Sequence, residues 1–251
     1  VNRSGPLEEI LKYAATEGRN GKGITVIFAA GNGNESISDE KTYDGYASSE
    51  YTMAVGASNG DGVRASYSDF GETLDILAPS CDINVDSFYD PFVSDSVRHG
   101  IWTTDVSGEY GYTSSCYEPN FCGTSASTPI AAGVVGLILG VNPDLTREEI
   151  YETITDTADK ISPEDADYNN MSGHSETYGY GRINARAAVE KACGDSCASP
   201  PPVDEEPYYP DIDFKPEEIS EDKEEDVDYE ESIVYKSYGR GCNLIFLKGD
   251  M

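Results

Sequence analysis

One stretch of this sequence combines residue types and spacing suited to nucleophilic chemistry. Gly123-Thr-Ser-Ala-Ser-Thr-Pro129 runs directly into the small-residue segment Ile130-Ala-Ala-Gly-Val-Val-Gly136. A serine placed where a loop becomes a helix has an exposed hydroxyl. The unpaired N–H groups of the first helical turn then favour negative charge developing nearby. Small neighbours let a substrate backbone approach. The plainer reading of any serine before a helix is an N-cap. A second stretch, Phe28-Ala-Ala-Gly-Asn-Gly33, ends an apolar run on a turn that presents a polar side chain, Asn32. An Asn-Gly pair is also an ordinary turn.

The elements that must position these residues follow from periodicity. Pro6 to Gly18 reads as an amphipathic helix, with Leu7, Ile10, Leu11 and Ala14 on one face and Gly18 as its stop. Ile24 to Phe28 is apolar on both faces and β-branched, as a buried parallel strand requires. Further short strands are expected at Thr52 to Ala57 and Leu74 to Leu77. Cys81 to Cys122 is polar, aromatic and irregular, and reads as a long loop or insertion. Pro129 is expected to open a helix to about Gly140. Thr146 and Glu149 form a capping box for a helix from Arg147 to about Asp159, and a last helix runs from about Asn184 to Cys193. Helices alternating with short apolar strands define an α/β domain around a mostly parallel sheet.

Composition narrows the function. The 251 residues suffice for one globular domain and an appendage. A formal net charge of −30 argues against nucleic-acid binding and suits cationic substrates, calcium ions or solubility. The apolar run Ile130 to Val141 reads as a buried helix too short to span a bilayer, and the sequence leaves membrane association open. Six cysteines (81, 116, 122, 193, 197 and 242) lack zinc-ligand spacing, and their even number points to disulfides without fixing which pair. Three N-x-S sequons, at Asn2, Asn34 and Asn170, accord with a secretory route. Residues 198–251 form a Pro-rich linker and an acidic tail, expected to be mostly disordered.

Taken together, the Ser stretch and the small-residue helix resemble the subtilisin-like serine proteases, the subtilase family. Asp44-Gly-Tyr46, Tyr51-Thr-Met-Ala-Val55, Tyr67-Ser-Asp69 and Tyr178-Gly-Tyr-Gly181 are most similar to the kexin-type branch. The resemblance implies a subtilisin-like three-layer fold over residues 1–197, as the C-terminal portion of a catalytic domain. It implies Ser125 as nucleophile and Asn32 as side-chain donor of the oxyanion hole. It further implies Asp44 as an acidic residue of a pocket for Lys or Arg, and Asp39 and Asp69 as ligands of a structural calcium. The partner would be a peptide or protein substrate, and the location secreted or in the secretory pathway.

The sequence also departs from that pattern. A serine protease of this kind needs a His base and an orienting Asp, which the family carries upstream of the motifs found here. The two histidines, His99 and His174, stand in a polar insertion and a loop, and both read as surface residues. The triad Asp and His are therefore absent, the chain is expected to be a fragment, and it is expected to be inactive as it stands. The alternative is a catalytically inactive pseudoprotease acting as a binding protein.

Overall fold

The computed structural model describes residues 5–39, 44–83, 97–98, 100–106, 108, 110–113, 115–194, 235–238 and 242–245. Helix α1 (Gly5–Gly21) is regular until Gly18, where an extended backbone and positive φ at Arg19 and Asn20 break it. Strands β1 (Val26–Ala29), β2 (Thr52–Ser58) and β3 (Ile76–Pro79) form a parallel sheet in the order β1-β2-β3. The register pairs Phe28 with Ala54 and Val55 with Ile76.

Every residue of β2 is buried, because both faces of the sheet are covered. On one side Met53, Val55 and Ile76 meet Val134 and Ile138 of helix α2 (Thr124–Val141) and Ile150 and Ile154 of helix α3 (Arg147–Thr157). On the other, Ala54, Leu74 and Leu77 pack with Ile37 and Tyr178. Helix α4 (Ala185–Cys193), capped by Asn184 accepting from the Ala187 N–H at 2.9 Å, closes the first layer through Ala188 and Ala192. The α/β reading with a parallel sheet holds. So does the capping box: Thr146 N–H donates to Glu149 at 2.8 Å, and Glu149 N–H returns to Thr146 Oγ1 at 3.2 Å.

Two expectations need correction. Helix α2 starts at Thr124, five residues before Pro129, which sits inside it. The missing proline N–H falls close enough to the N-terminus that little of the hydrogen-bond ladder is lost. At 18 residues and a mean hydropathy of 1.6, α2 is thus the one described helix long and apolar enough to cross a bilayer; here it is a core helix packed on the sheet. The Cys81–Cys122 region is not merely loop. Strands β4 (Asp82–Ile83) and β5 (Val97–Arg98) pair antiparallel, as do β6 (Ile101–Thr104) and β7 (Tyr117–Phe121). The tail beyond residue 194 lies outside the described residues except for β8 (Tyr235–Tyr238) and β9 (Cys242–Ile245), an antiparallel pair.

Beneath β3 lies an ionisable group that the sequence did not single out. The Asp75 carboxylate accepts from the Ala54 N–H at 2.6 Å and from the Tyr151 hydroxyl at 2.5 Å. Burial pushes its pKa up to about 6, although those two hydrogen bonds and the nearby His174 and Arg147 all act to lower it. A cavity of about 400 Å³ adjoins it, lined by Thr52, Thr73, Arg147 and Tyr151 among others. Because the folded pKa lies above the unfolded one, Asp75 opposes folding increasingly as pH rises through the window from about 4 to about 6. Relative to Asp75→Asn, the natural protein should lose about 3 kcal/mol of unfolding free energy between pH 3.5 and pH 7.5. Urea denaturation of both proteins across that range measures it, and parallel curves would refute the assignment.

Candidate active site

Ser125 is the second residue of α2, exposed, with Gly123 as the preceding cap. Its position is fixed by interactions from distant strands. The Gly123 N–H donates to the Tyr67 hydroxyl at 3.1 Å, and the Ser80 hydroxyl donates to the Gly123 carbonyl at 3.0 Å. Tyr67 and Ser80 share a further hydroxyl–hydroxyl bond of 2.9 Å, and Tyr67 also donates to the Cys81 carbonyl at 3.0 Å. Burial raises the Tyr67 pKa, so the phenol stays neutral and serves as donor and acceptor together. Ser127, buried one turn on, donates to the Ala78 carbonyl at 3.0 Å. The disulfide Cys81–Cys122, with Cα atoms 5.3 Å apart, ties the chain leaving β3 to the residue before Gly123. That bridge resolves one pairing that the sequence left open. Cys116 and Cys193 are disulfide-bonded as well.

Asn32 approaches from the loop after β1. Its Oδ1 accepts from the Thr124 N–H at 2.9 Å and from Thr124 Oγ1 at 3.0 Å, while Gly31 N–H donates to the same Thr124 oxygen at 3.3 Å. With Oδ1 so occupied, the Asn32 amide nitrogen is the end left to donate. A Cβ added at Gly123, whose φ is +92°, would stand 3.4 Å from Asn32 Nδ2, 3.5 Å from Asn32 Oδ1 and 3.7 Å from Ser125 N, so the Asn32 amide and the Ser125 N–H lie on the same side of Gly123. Two N–H donors converging beside a serine hydroxyl form the arrangement that stabilises an acyl-transfer oxyanion.

Asp69 holds the Asn32 loop. Its Oδ1 accepts from Gly33 N–H at 2.7 Å and Glu35 N–H at 2.9 Å, and its own N–H donates to the Gly31 carbonyl at 3.0 Å. Gly31, at φ +117°, lies so close to the second oxygen that a Cβ there would be 2.0 Å from Asp69 Oδ2. Arg64 donates to Asn34 Oδ1 at 3.1 Å and lies over the Phe70 ring, bracing the same loop. Asp39 is exposed. Among the described residues no group of three or more His, Cys, Asp or Glu could hold a metal ion. Two carboxylates, one of them committed to backbone, fall short of the six to eight oxygens calcium takes.

Asp44 opens a tight turn, where its Oδ1 accepts from Tyr46 N–H at 2.7 Å and Ala47 N–H at 3.0 Å. The Tyr46 ring then packs 5.2 Å from that of Phe28, at the end of β1. His174 is half-buried rather than on the surface. One ring nitrogen lies 2.7 Å from the Leu74 carbonyl and the ring meets Tyr180 edge-on, so it is a structural residue away from Ser125. His99 lies outside the described residues. An apolar groove of about 640 Å³ between β1 and α2, walled by Ile27, Phe28, Pro129, Ala132 and Val135, opens onto Ser125.

The structure brings together Ser125 and Asn32, which the sequence singled out, and adds Tyr67, Ser80, Thr124 and Ser127, to which the sequence assigned no role. The one signal available was the run of small hydroxyl residues within the Ser stretch itself.

Comparison with known proteins gives the family. The family model for the subtilase family matches residues 1–181, and the chain belongs to that family of serine endopeptidases. It is 44% identical over 202 residues to the calcium-dependent protease of Nostoc sp., an alignment covering 77% of this chain and 28% of that protein. It is 34% identical over 185 residues to mouse proprotein convertase subtilisin/kexin type 7, covering 72% and 22%. To the kexin of Candida albicans it is 32% identical over 179 residues, covering 70% and 17%. The chain thus spans less than a third of the length of these relatives. Among solved structures, the serine protease of Aeromonas sobria shares the fold with a TM-score of 0.59 at 22% identity, over 78% of this chain and 40% of that one.

Filling the space between the donors is the direct check on this geometry. Gly123→Ala should cost about 1–3 kcal/mol of stability through its positive φ. In the protein that carries this chain it should also abolish Ser125 labelling by a fluorophosphonate, while circular dichroism shows the fold retained. Labelling at the natural rate would mean that the oxyanion site lies elsewhere.

Proposed function

We propose that this chain provides the nucleophile and oxyanion hole of a serine endopeptidase acting through an acyl-enzyme on Ser125. The hydrogen bonds that fix Asn32 Oδ1 on Thr124, beside the exposed Ser125 and with the amide nitrogen left to donate, are the observation that carries the reading. In this mechanism Ser125 Oγ attacks the scissile carbonyl as its proton passes to a base. Asn32 and the Ser125 N–H hold the oxyanion, the amine departs with a proton, and water releases the acid from the ester. Among the described residues no imidazole faces Ser125, so the base comes from outside them. The apolar groove between β1 and α2 is the open side from which a helix bearing that base would reach the serine.

Cleavage after Lys or Arg is the specificity we assign, with Asp44 as the acidic group. Its Oδ1 is held by its own turn, which fixes the carboxylate and leaves Oδ2 to face a cation. The similarity to kexin and to a proprotein convertase supports this choice and a secretory location. Calcium enters through the similarity to a protease named for calcium dependence. Asp39 and Asp69 would supply two of its oxygens and ligands beyond the described residues the others, with the ion bracing the Asn32 loop. The binding-protein reading rests on the missing imidazole and makes a different forecast.

In the protein that carries this chain, Ser125→Ala should eliminate both fluorophosphonate labelling and cleavage of Arg-containing peptides. Undiminished labelling of that variant would sink the nucleophile assignment, and an unreactive natural protein would favour the binding-protein reading. Asn32→Ala should lower kcat by roughly 10²–10³ with little change in KM, the loss known for the corresponding donor of another subtilase. For calcium, chelation should lower the melting temperature, and Asp39→Ala should remove that sensitivity. A melting curve indifferent to chelator would argue against a bound ion.

A further inference from the structure

Two of the three N-x-S sequons fall on described residues, and the fold treats them in opposite ways. Asn2 lies outside the described residues. Asn34, in Asn34-Glu-Ser36, is exposed but committed. Its Oδ1 accepts from Arg64 Nη2 at 3.1 Å, and its backbone N–H donates to the Tyr67 carbonyl at 2.9 Å. Its φ of +52° lies in the left-handed region, which is uncommon for any residue but glycine. Two residues on, Ser36 bridges to Phe70, and its hydroxyl accepts from the Ser38 N–H at 3.3 Å.

The chemistry of an N-linked sugar makes that commitment matter. A glycosylated amide, like a peptide, keeps its two carbon substituents trans, so the sugar carbon stands on the same side as the amide oxygen. At Asn34 the sugar would therefore crowd Oδ1, the atom that Arg64 is bonded to, in the loop that carries Asn32.

Asn170-Met-Ser172 is free where Asn34 is held. The base of its loop is closed by the Asn169 N–H donating to the His174 carbonyl and the Gly173 N–H to the Asn169 carbonyl, each at 2.8 Å. Asn169 Oδ1 shapes the tip, accepting from Met171 N–H at 2.8 Å and Ser172 N–H at 3.1 Å. With the preceding residue closing the turn, the Asn170 side chain enters no hydrogen bond among the described residues. Asn170 and Ser172 are exposed and Met171 is 96% exposed, so the tip stands in water. Lys160 Nζ holds the loop by donating to the Gly173 carbonyl at 2.6 Å. Tyr168, two residues before Asn170, packs in the layer on the sheet face away from α2. A bulky, hydrated group on Asn170 is added to solvent and disturbs no contact of the fold.

We propose that Asn170 is an N-glycosylation site of this protein and that Asn34 is not. The donor is an oligosaccharide carried on a lipid phosphate. Asn170 Nδ2 bonds to its anomeric carbon as the bond from that carbon to the phosphate oxygen breaks. The lipid phosphate leaves with the electron pair, and one amide proton passes to a base of the transferase. Ser172 supplies the hydroxyl of the sequon. The transferase meets the chain as it folds, and the native fold decides which modified chains are kept. Access to a transferase rests on the secretory reading above, whereas the fitness of the site does not.

The protein that carries this chain, secreted by a eukaryotic host behind an added export signal, tests the site by mass spectrometry of its peptides. The Asn170 peptide should carry oligosaccharide in nearly every secreted molecule and the Asn34 peptide in none. Asn170→Gln and Ser172→Ala should each remove the sugar completely, and Ser172→Thr should keep it. All three substitutions lie on the exposed tip, so circular dichroism should not change. An unmodified Asn170 in the secreted protein would overturn the proposal. So would equal occupancy at Asn34, or a modification that survives Ser172→Ala. The location reading fails separately: natural protein confined to the cytoplasm of its source would refute that reading, and the occupancy of Asn170 in the secreting host would still stand.

Discussion

The short relay from the Gly31 N–H to Thr124 Oγ1 and on to Asn32 Oδ1 is the link on which the site depends. It joins the loop after β1 to the first turn of α2, partners separated by more than ninety residues of chain. It also decides which end of the Asn32 amide is left free to donate beside Ser125. An asparagine has two nearly isosteric ends, and only one can donate to an oxyanion. Occupying the oxygen with two Thr124 donors leaves the nitrogen as the outward end. Everything else in the structure serves to keep Thr124 and Asn32 within hydrogen-bonding distance.

That service comes from both sides of the sheet. The parallel order β1-β2-β3 brings the C-terminal ends of β1 and β3 to one edge of the sheet, on either side of β2, and the loop bearing Asn32 and the segment Ser80–Cys81 both reach the N-terminus of α2. Ser80, Tyr67 and the Cys81–Cys122 bridge fix Gly123 from the β3 side, and Asp69 fixes the Asn32 loop from the other. Each of these side chains bonds to backbone, so the turn at Gly123 and the Asn32 loop are held from both sides. The cost of such a site falls on Gly31, where a Cβ would meet Asp69 Oδ2, and on Gly123, where a positive φ strains any other residue.

The β6–β7 hairpin belongs to the same construction. It emerges from the disulfide-bonded residue that precedes Gly123, and Trp102 and Thr104 face outward along β6 as the strand pleat requires. A surface that faces water in this way departs from the apolar packing that governs the rest of the fold.

The sequence by itself determined the elements and the two motifs. Apolar periodicity marks α1, β1, β2 and α3, the Thr146–Glu149 box starts α3, and the spacing of small residues around Ser125 is local enough to read directly. Its errors were at places where local signals mislead. Pro129 looked like a helix start because proline is favoured there, but the turn before it is held helical by Asn32 and Ser80 from elsewhere. The β6–β7 hairpin looked like loop because half its strand positions face water and so break the apolar pattern. Tyr67, Ser80, Asp69 and the partner of Cys81 were decided only by the tertiary structure. Their roles lie in contacts between residues dozens of positions apart. Those contacts exist only once the sheet order has brought the strand ends together.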